Sequence, residues 1–303
     1  MLFFYSIVEI IFRKFCGLFS RMTKLAWKGK RWSDLHRYMM VQRPWSPGYL
    51  EAKECFLMGA IKNSSILKIF QDGKQLPLNY GQFFDERTIE LPWFLAKLRK
   101  LSDGKMLNLL DAGSACNHIF YLPFLKNYSN LTIITFAPEN VCENKCGISY
   151  TYGDIRDMPY RENLFDAVVS ISTIEHIGMN NESFKKGTNE NNINDLFVAI
   201  VEIHRVLKPG GMFFMSVPFG KYSNYGTFQQ FDSALLDKCR NVFAPSEAEE
   251  YFYRYNPAGW QLVQEEDCAN VNYTTAPVEG GAAAAGAVVC CSWRKANEFS
   301  SSL

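Results

Sequence analysis

The chain has 303 residues, 48% of them hydrophobic, enough for one large α/β domain with additions or for two small domains. A formal net charge of +1 gives the whole protein no electrostatic preference for nucleic acid. Its nine cysteines form no Cys-x-x-Cys pair and its four histidines are dispersed, which argues against a disulfide scaffold or a zinc site and for reduced structural thiols in a cytosol.

The charge is unevenly placed. Residues 1–45 carry nine Lys/Arg against Glu9 and Asp34, a net of +7, which leaves −6 for the rest. Within 2–22, polar residues recur at spacings of three and four among Phe4, Ile7, Val8, Ile11, Phe12, Phe15, Leu18 and Phe19, the pattern of an amphipathic helix with a wide apolar face. The unbroken apolar run is too short to span a bilayer. Its positive charges follow the run, unlike those of a signal peptide. Two readings stay open: residues 2–31 lie on an anionic membrane surface, or the helix packs on the body or on a partner chain.

Residues 44–50, Pro-Trp-Ser-Pro-Gly-Tyr-Leu, mark a boundary. A helix is expected over Tyr49–Ile69, ended by Asp72-Gly73, then a loop from Pro77 and a helix from Phe84 to Leu101. If that helix forms a lid over a ligand, Asp85, Glu86, Arg87 and Trp93 are the residues that would meet it; a covering helix with no ligand contact fits the pattern as well. Met106–Leu110 is a short apolar strand followed by the turn Asp111-Ala-Gly-Ser-Ala-Cys-Asn, and Leu131–Phe136 is a second strand. Ala167–Ile171, β-branched and apolar, reads as a strand buried on both faces of a parallel sheet. Ligands in open α/β sheets sit beyond the carboxyl ends of the strands, so Ser170, Ser172, Thr173, Glu175 and His176 belong at a site mouth.

The polar, Asn-rich stretch between Met179 and Asp195 is a loop at that same face. Leu196–Leu207 is a helix closed by Pro209-Gly-Gly. The aromatic-dense segment 219–259 holds a helix capped by Asp232. Trp260–Glu265 and Ala287–Trp293 are the last two strands, separated by a small-residue linker at 280–286, and the tail from Asn297 is frayed.

Two ordered motifs stand out: Gly153-Asp-Ile-Arg-Asp-Met-Pro-Tyr with Leu164-Phe-Asp-Ala-Val-Val-Ser and Ile174-Glu-His, and then Glu202-Ile-His-Arg-Val-Leu-Lys-Pro-Gly-Gly-Met-Phe-Phe-Met-Ser-Val-Pro. Together they resemble the class I S-adenosylmethionine (SAM)-dependent methyltransferases with a type 11 domain, over roughly residues 107–218. The resemblance implies an α/β, Rossmann-like fold: a mostly parallel seven-stranded sheet with helices on both faces, its last two strands an antiparallel pair, plus an amino-terminal helical extension. The charge pattern and the turn at 44–50 set off a basic amphipathic segment at 1–45, and the resemblance implies a methyltransferase domain at 46–303, with the SAM-binding core at about 80–218 and a substrate-side part at 219–296.

The resemblance also implies a site. Asp111, Gly113 and Ser114 belong to the turn that lets backbone N–H groups approach the methionine part and ribose of SAM, although Ala115 and Asn117 stand where glycines are usual. Thr135, followed by Phe136, stands in the place of the acidic residue that accepts the ribose hydroxyls, and Glu139 would have to reach back from the following turn. Asp154 and Ile155 match the adenine contacts, and Ser172 lines the cofactor. Glu175 and His176 are the candidate catalytic residues. The implied activity is O- or N-methylation of a small-molecule, sugar or lipid acceptor, with SAM as cofactor and no metal or nucleic acid, in the cytoplasm and at the inner membrane surface if residues 2–31 bind lipid. The departures at Ala115, Asn117 and Thr135 leave a second reading, an inactive methyltransferase-like binding or scaffold module. A nicotinamide oxidoreductase is disfavoured, because no Gly-x-Gly-x-x-Gly follows a strand.

Overall fold

A computed structural model describes residues 29–139, 142–143, 147–182, 187–274 and 284–297. The amphipathic segment 2–22 and most of the linker at 280–286 lie outside the described residues. No helix among the described residues is long and apolar enough to cross a membrane.

One eight-stranded sheet organises the chain. In chain order its strands are β1 (Leu107–Ala112), β2 (Ser129–Thr135), β3 (Ser149–Tyr152), β4 (Phe165–Ile171), β5 (Leu207–Pro218), β8 (Glu247–Asn256), β9 (Gly259–Val263) and β10 (Ala287–Arg294); β6 (Ser223–Asn224) and β7 (Gln229–Gln230) form a separate small ribbon. The spatial order is β3-β2-β1-β4-β5-β10-β8-β9. The first five run parallel, and β10, β8 and β9 are antiparallel to their neighbours.

The strand count and the last pairing correct the expectation from sequence. The strands at 259–263 and 287–294 do not pair with each other, because β8 lies between them. Its sequence Tyr251-Phe-Tyr-Arg-Tyr alternates: Tyr251, Tyr253 and Tyr255 pack on one face of the sheet and Phe252 on the other. That period of two is a strand signal hidden in an aromatic-rich stretch.

Both faces of the sheet are covered, which is why its strands are continuous apolar runs. Leu109, Val169, Phe214 and Cys290 point into one core, and their neighbours Leu110, Val168, Phe213 and Cys291 point into the other. The first core is closed by α2 (Tyr49–Lys62), α3 (Ser64–Asp72), α4 (Arg87–Ser102) and the short α5 (Leu122–Leu125), with α1 (Gly29–Val41) outermost. The second is closed by α6 (Asp195–Val206) and α7 (Ser233–Phe243). The single helix expected over 49–69 is two helices, because the Asn63 side chain accepts from Ser65 N and Ile66 N and starts a new one.

Helix α4 is buried around nearly its whole circumference, with Thr88, Glu90, Lys97 and Ser102 among its buried residues. Pro92 removes the N–H that would bond the Thr88 carbonyl, and the Tyr80 hydroxyl donates to that carbonyl at 2.9 Å instead. Trp93 is fully buried, edge-on to Phe214 at 6.1 Å, so it belongs to the core and not to a surface over a ligand. The segment 75–82 straps the outer strand β9: Asn79 N donates to Ala258 O, Trp260 N to Tyr80 O, and the side-chain amides of Gln75 and Gln82 to Leu262 O and Pro257 O.

Candidate functional site

The carboxyl ends of β2, β1, β4 and β5 line up to form one rim. Gly113 N donates to Ile134 O, Ser172 N to Ser216 O, and the Ser170 hydroxyl to Ala112 O. Three residues at this rim have left-handed backbone: Gly113 at φ 122, Ser114 at φ 66 and Ser172 at φ 41. Strained conformations held by a surrounding fold concentrate at sites. Gly113 is required twice over, since a Cβ there would lie 2.2 Å from the Thr173 hydroxyl. Gly113→Ala is expected to cost roughly 1–2 kcal/mol of stability, read as a lowered denaturant midpoint; an unchanged midpoint would mean that the turn relaxes freely.

Asp111 ends β1 fully buried. Its Oδ2 accepts from Cys116 N at 2.9 Å, while its Oδ1 has no partner. Burial pushes its carboxyl up to about 7, against the pull of the Cys116 N–H, with the Glu139 charge adding to the rise. The Ser114 hydroxyl is likewise buried without a partner.

The end of β2 answers the question left by Thr135. Glu139 does reach back. One carboxylate oxygen accepts from the Thr135 hydroxyl at 2.9 Å and the other from the Asn117 amide at 2.9 Å. The Tyr150 hydroxyl, from β3, donates to Asn117 Oδ1 and fixes that amide's orientation. A carboxylate therefore stands between the β1 turn and the β2 end, and Asn117, expected to matter only as a glycine substitute, is the group that holds it. Phe136 follows Thr135 half-buried at the same end.

Asp154 and Ile155 lie in the turn after β3, the expected place. Ile155 is buried in the second core. The Asp154 carboxylate accepts from Arg156, whose guanidinium also reaches Glu190 and Asp195. Arg156 thereby ties the polar loop before α6 to the turn after β3, and the Asp154 carboxylate serves that clamp.

Glu175 and His176 sit in a 3-10 turn after β4. His176 Nδ1 donates to Thr227 O at 2.7 Å, which sets its protonated nitrogen, and burial holds its pKa below the usual imidazole range. Glu175 is buried, with Oε2 unpartnered, and burial together with the Glu90 charge raises its pKa well above the carboxylate range. Ser172, expected at the cofactor, donates to Glu90 Oε1 at 2.7 Å, and Ser216 donates to the same oxygen at 2.8 Å. Glu90 is also paired with Arg87. Burial works against the Arg87 charge, but Glu90 and Glu86 hold the guanidinium protonated.

Glu90 escaped the sequence reading. Its readable signal was a lone carboxylate inside the apolar run Thr88-Ile-Glu-Leu-Pro-Trp. Asp85, by contrast, is structural, bonded to Lys53 and the Tyr49 hydroxyl.

The rim fits S-adenosylmethionine in its donor and acceptor set. Asp111 Oδ1 and Ser114 Oγ are orphaned at the turn, Gly113 leaves the backbone open, and Glu139 offers a carboxylate for vicinal hydroxyls.

Residues 110–215 match the family model described as a methyltransferase domain. A curated relative, tRNA (carboxymethyluridine(34)-5-O)-methyltransferase of Arabidopsis thaliana, is 30% identical over 159 residues, 52% of this chain and 32% of the relative. The chain thus spans about a third of that protein's length. Among solved structures, Burkholderia thailandensis 1,6-didemethyltoxoflavin-N1-methyltransferase with S-adenosylhomocysteine bound is similar at 15% identity, covering 78% of this chain and 88% of that one, with a TM-score of 0.42. The N-methyltransferase NodS of Bradyrhizobium japonicum is similar at 15% identity, covering 67% and 95%, with a TM-score of 0.39. Residues 110–215 are thus similar to a methyltransferase domain, the stretch over which the sequence resembles the class I S-adenosylmethionine-dependent methyltransferases.

Proposed function

We propose that the chain transfers the methyl group of S-adenosylmethionine to a small-molecule, sugar or lipid acceptor at the rim formed by β1, β2, β4 and β5. The observation that carries this reading is the Glu139 carboxylate, held by Thr135 and Asn117 where the sequence lacks an acidic residue. A domain that had given up its cofactor would have no need to bring a carboxylate there from the following turn.

Bound there, S-adenosylmethionine supplies a methyl group on a sulfonium, a leaving group good enough for positioning to do most of the work. The chain's own residues divide the remaining tasks. Glu139 would accept from the ribose hydroxyls, and the turn Asp111–Ser114 would hold the amino-acid end. The turn after β3, with Asp154 and Ile155, would hold the adenine. Glu175 and His176 are the groups that would take the acceptor's proton.

The Arabidopsis relative's name places its acceptor in tRNA. Residues 46–303 of this chain carry a net charge of −6 and so offer no general field for a phosphate backbone, which favours a small acceptor.

The test is calorimetry of S-adenosylmethionine and S-adenosylhomocysteine on the full chain. Binding of both in the micromolar range is expected. A well-folded protein that binds neither is the scaffold module instead.

A further inference from the structure

Resting on the methyl-transfer reading, we propose that the acceptor is an amine that arrives as its ammonium ion, seated on the carboxyls of Glu86 and Glu175 against a wall of three aromatic rings, and that it gives its proton to Glu175 so that the freed lone pair can take the methyl group. The charges around the start of α4 do not balance. Asp85 is matched by Lys53, 2.6 Å from its carboxylate. Glu90 is matched by Arg87 and by the hydroxyls of Ser172 and Ser216. Glu86 and Glu175 have no such match: among the described residues neither makes an ion pair, and one oxygen of each is buried without a hydrogen-bond partner. Glu175 is only 2% exposed.

A buried carboxyl without a cation takes a proton. Burial, helped by the charges of Asp85 and Glu90, pushes Glu86 up to about 8, and burial with the Glu90 charge raises Glu175 as well. Arg87 opposes both rises, but its guanidinium is already engaged by Glu90.

Tyr273 joins the two acids. Burial raises its pKa first, and the charges of Glu86 and Glu175 raise it further. Its ring lies 4.6 Å from that of Phe228 and 5.7 Å from that of Tyr225, and those two stack at 4.7 Å. Phe228 in turn contacts the His176 ring, so the aromatic wall is continuous with the turn after β4.

An ammonium group entering this space gains two carboxylates and a π surface. A neutral alcohol gains only hydrogen bonds, and a carboxylate meets like charge. The groups that face Glu86 and Glu175 are Asp85, Arg87 and Glu90 from the start of α4, His176 beside Glu175, and Tyr273 after β9. A cation holds both acids ionised, so its binding must expel protons wherever they are still protonated. Affinity therefore rises from about pH 6 to about pH 8, as Glu86 loses its proton.

The experiment uses the full chain saturated with S-adenosylhomocysteine, titrated calorimetrically with 2-phenylethylammonium, 2-phenylethanol and phenylacetate. The ammonium is expected to bind at least about tenfold more tightly than either other probe, with proton release seen as a dependence of the heat on buffer. Glu175→Gln and Glu86→Gln are each expected to weaken it by roughly thirtyfold or more while S-adenosylhomocysteine still binds. Equal or tighter binding of the alcohol or the carboxylate, no binding of the ammonium, or indifference to both variants overturns the proposal alone. Failure of S-adenosylhomocysteine to bind the unmodified chain overturns the methyl-transfer reading and this proposal with it.

Discussion

Glu139→Ala is expected to weaken S-adenosylmethionine binding by about 1.5–3 kcal/mol, or roughly ten- to a hundredfold, the range of hydrogen bonds to a charged group. Thr135 and Asn117 each approach a different oxygen of this carboxylate at 2.9 Å, so the side chain is held in place before any ligand arrives. The arrangement also predicts a reversal. Thr135→Asp, made alone, sets a second carboxylate against Glu139 and should weaken binding through like-charge repulsion. Made in the Glu139→Ala background, the same change should restore much of the lost affinity. The two substitutions are therefore strongly non-additive. Calorimetry of the four proteins decides the matter: unchanged affinity in Glu139→Ala, or tighter binding in Thr135→Asp alone, removes Glu139 from the ribose position.

Asp111→Asn should change the pH dependence of folding by a few kcal/mol. The folded chain raises the Asp111 pKa from 3.8 to about 7, so between these values the native state binds a proton that the unfolded chain releases. The stability linked to that proton is fully present below about pH 4 and is lost as pH rises through 7. Three pKa units set an upper limit of about 4 kcal/mol. The amide that replaces the carboxyl does not titrate, so the variant should gain on the unmodified protein by a few kcal/mol from about pH 4 to about pH 8, measured by denaturant midpoints at each pH. Glu86 and Glu175 titrate in both proteins and cancel from the difference. Affinity for S-adenosylmethionine should fall, because an amide cannot present two acceptor oxygens. Parallel stability profiles would show that Asp111 is ionised in the free protein without penalty.

The sheet was legible because strands buried on both faces leave long apolar runs, and Ala167–Ile171 and Met212–Val217 are such runs. The turn after β1, the helix capped by Asp232 and the helix before β5 follow from local chemistry in the same way. β8 was not legible, because Glu247–Glu250 is charged and the alternation begins only at Tyr251. At the site, Asp111, Gly113, Glu175 and His176 are tied to strand ends by sequence adjacency. Glu90, and Asn117 with Glu139, reach the rim through tertiary packing, and no periodicity encodes that. Glu90, for example, meets Ser216 across 126 residues.

The strap at 75–82 has a consequence for how the chain is made. It covers the outer edge of β9, whose backbone groups would otherwise be a template for pairing with other molecules. Gln75 meets Leu262 from 187 positions away, so the strap leaves the ribosome long before the strand that it guards. Until then the helices ahead of β1 wait without their partner. Once β9 emerges, it must find the strap before it finds a neighbouring chain. A fragment starting at β1 would keep Asp111, Gly113, Glu139 and Asp154 but lose Glu90, and it would self-associate through that bare edge, so solubility as well as the site sets how far the amino-terminal region can be cut.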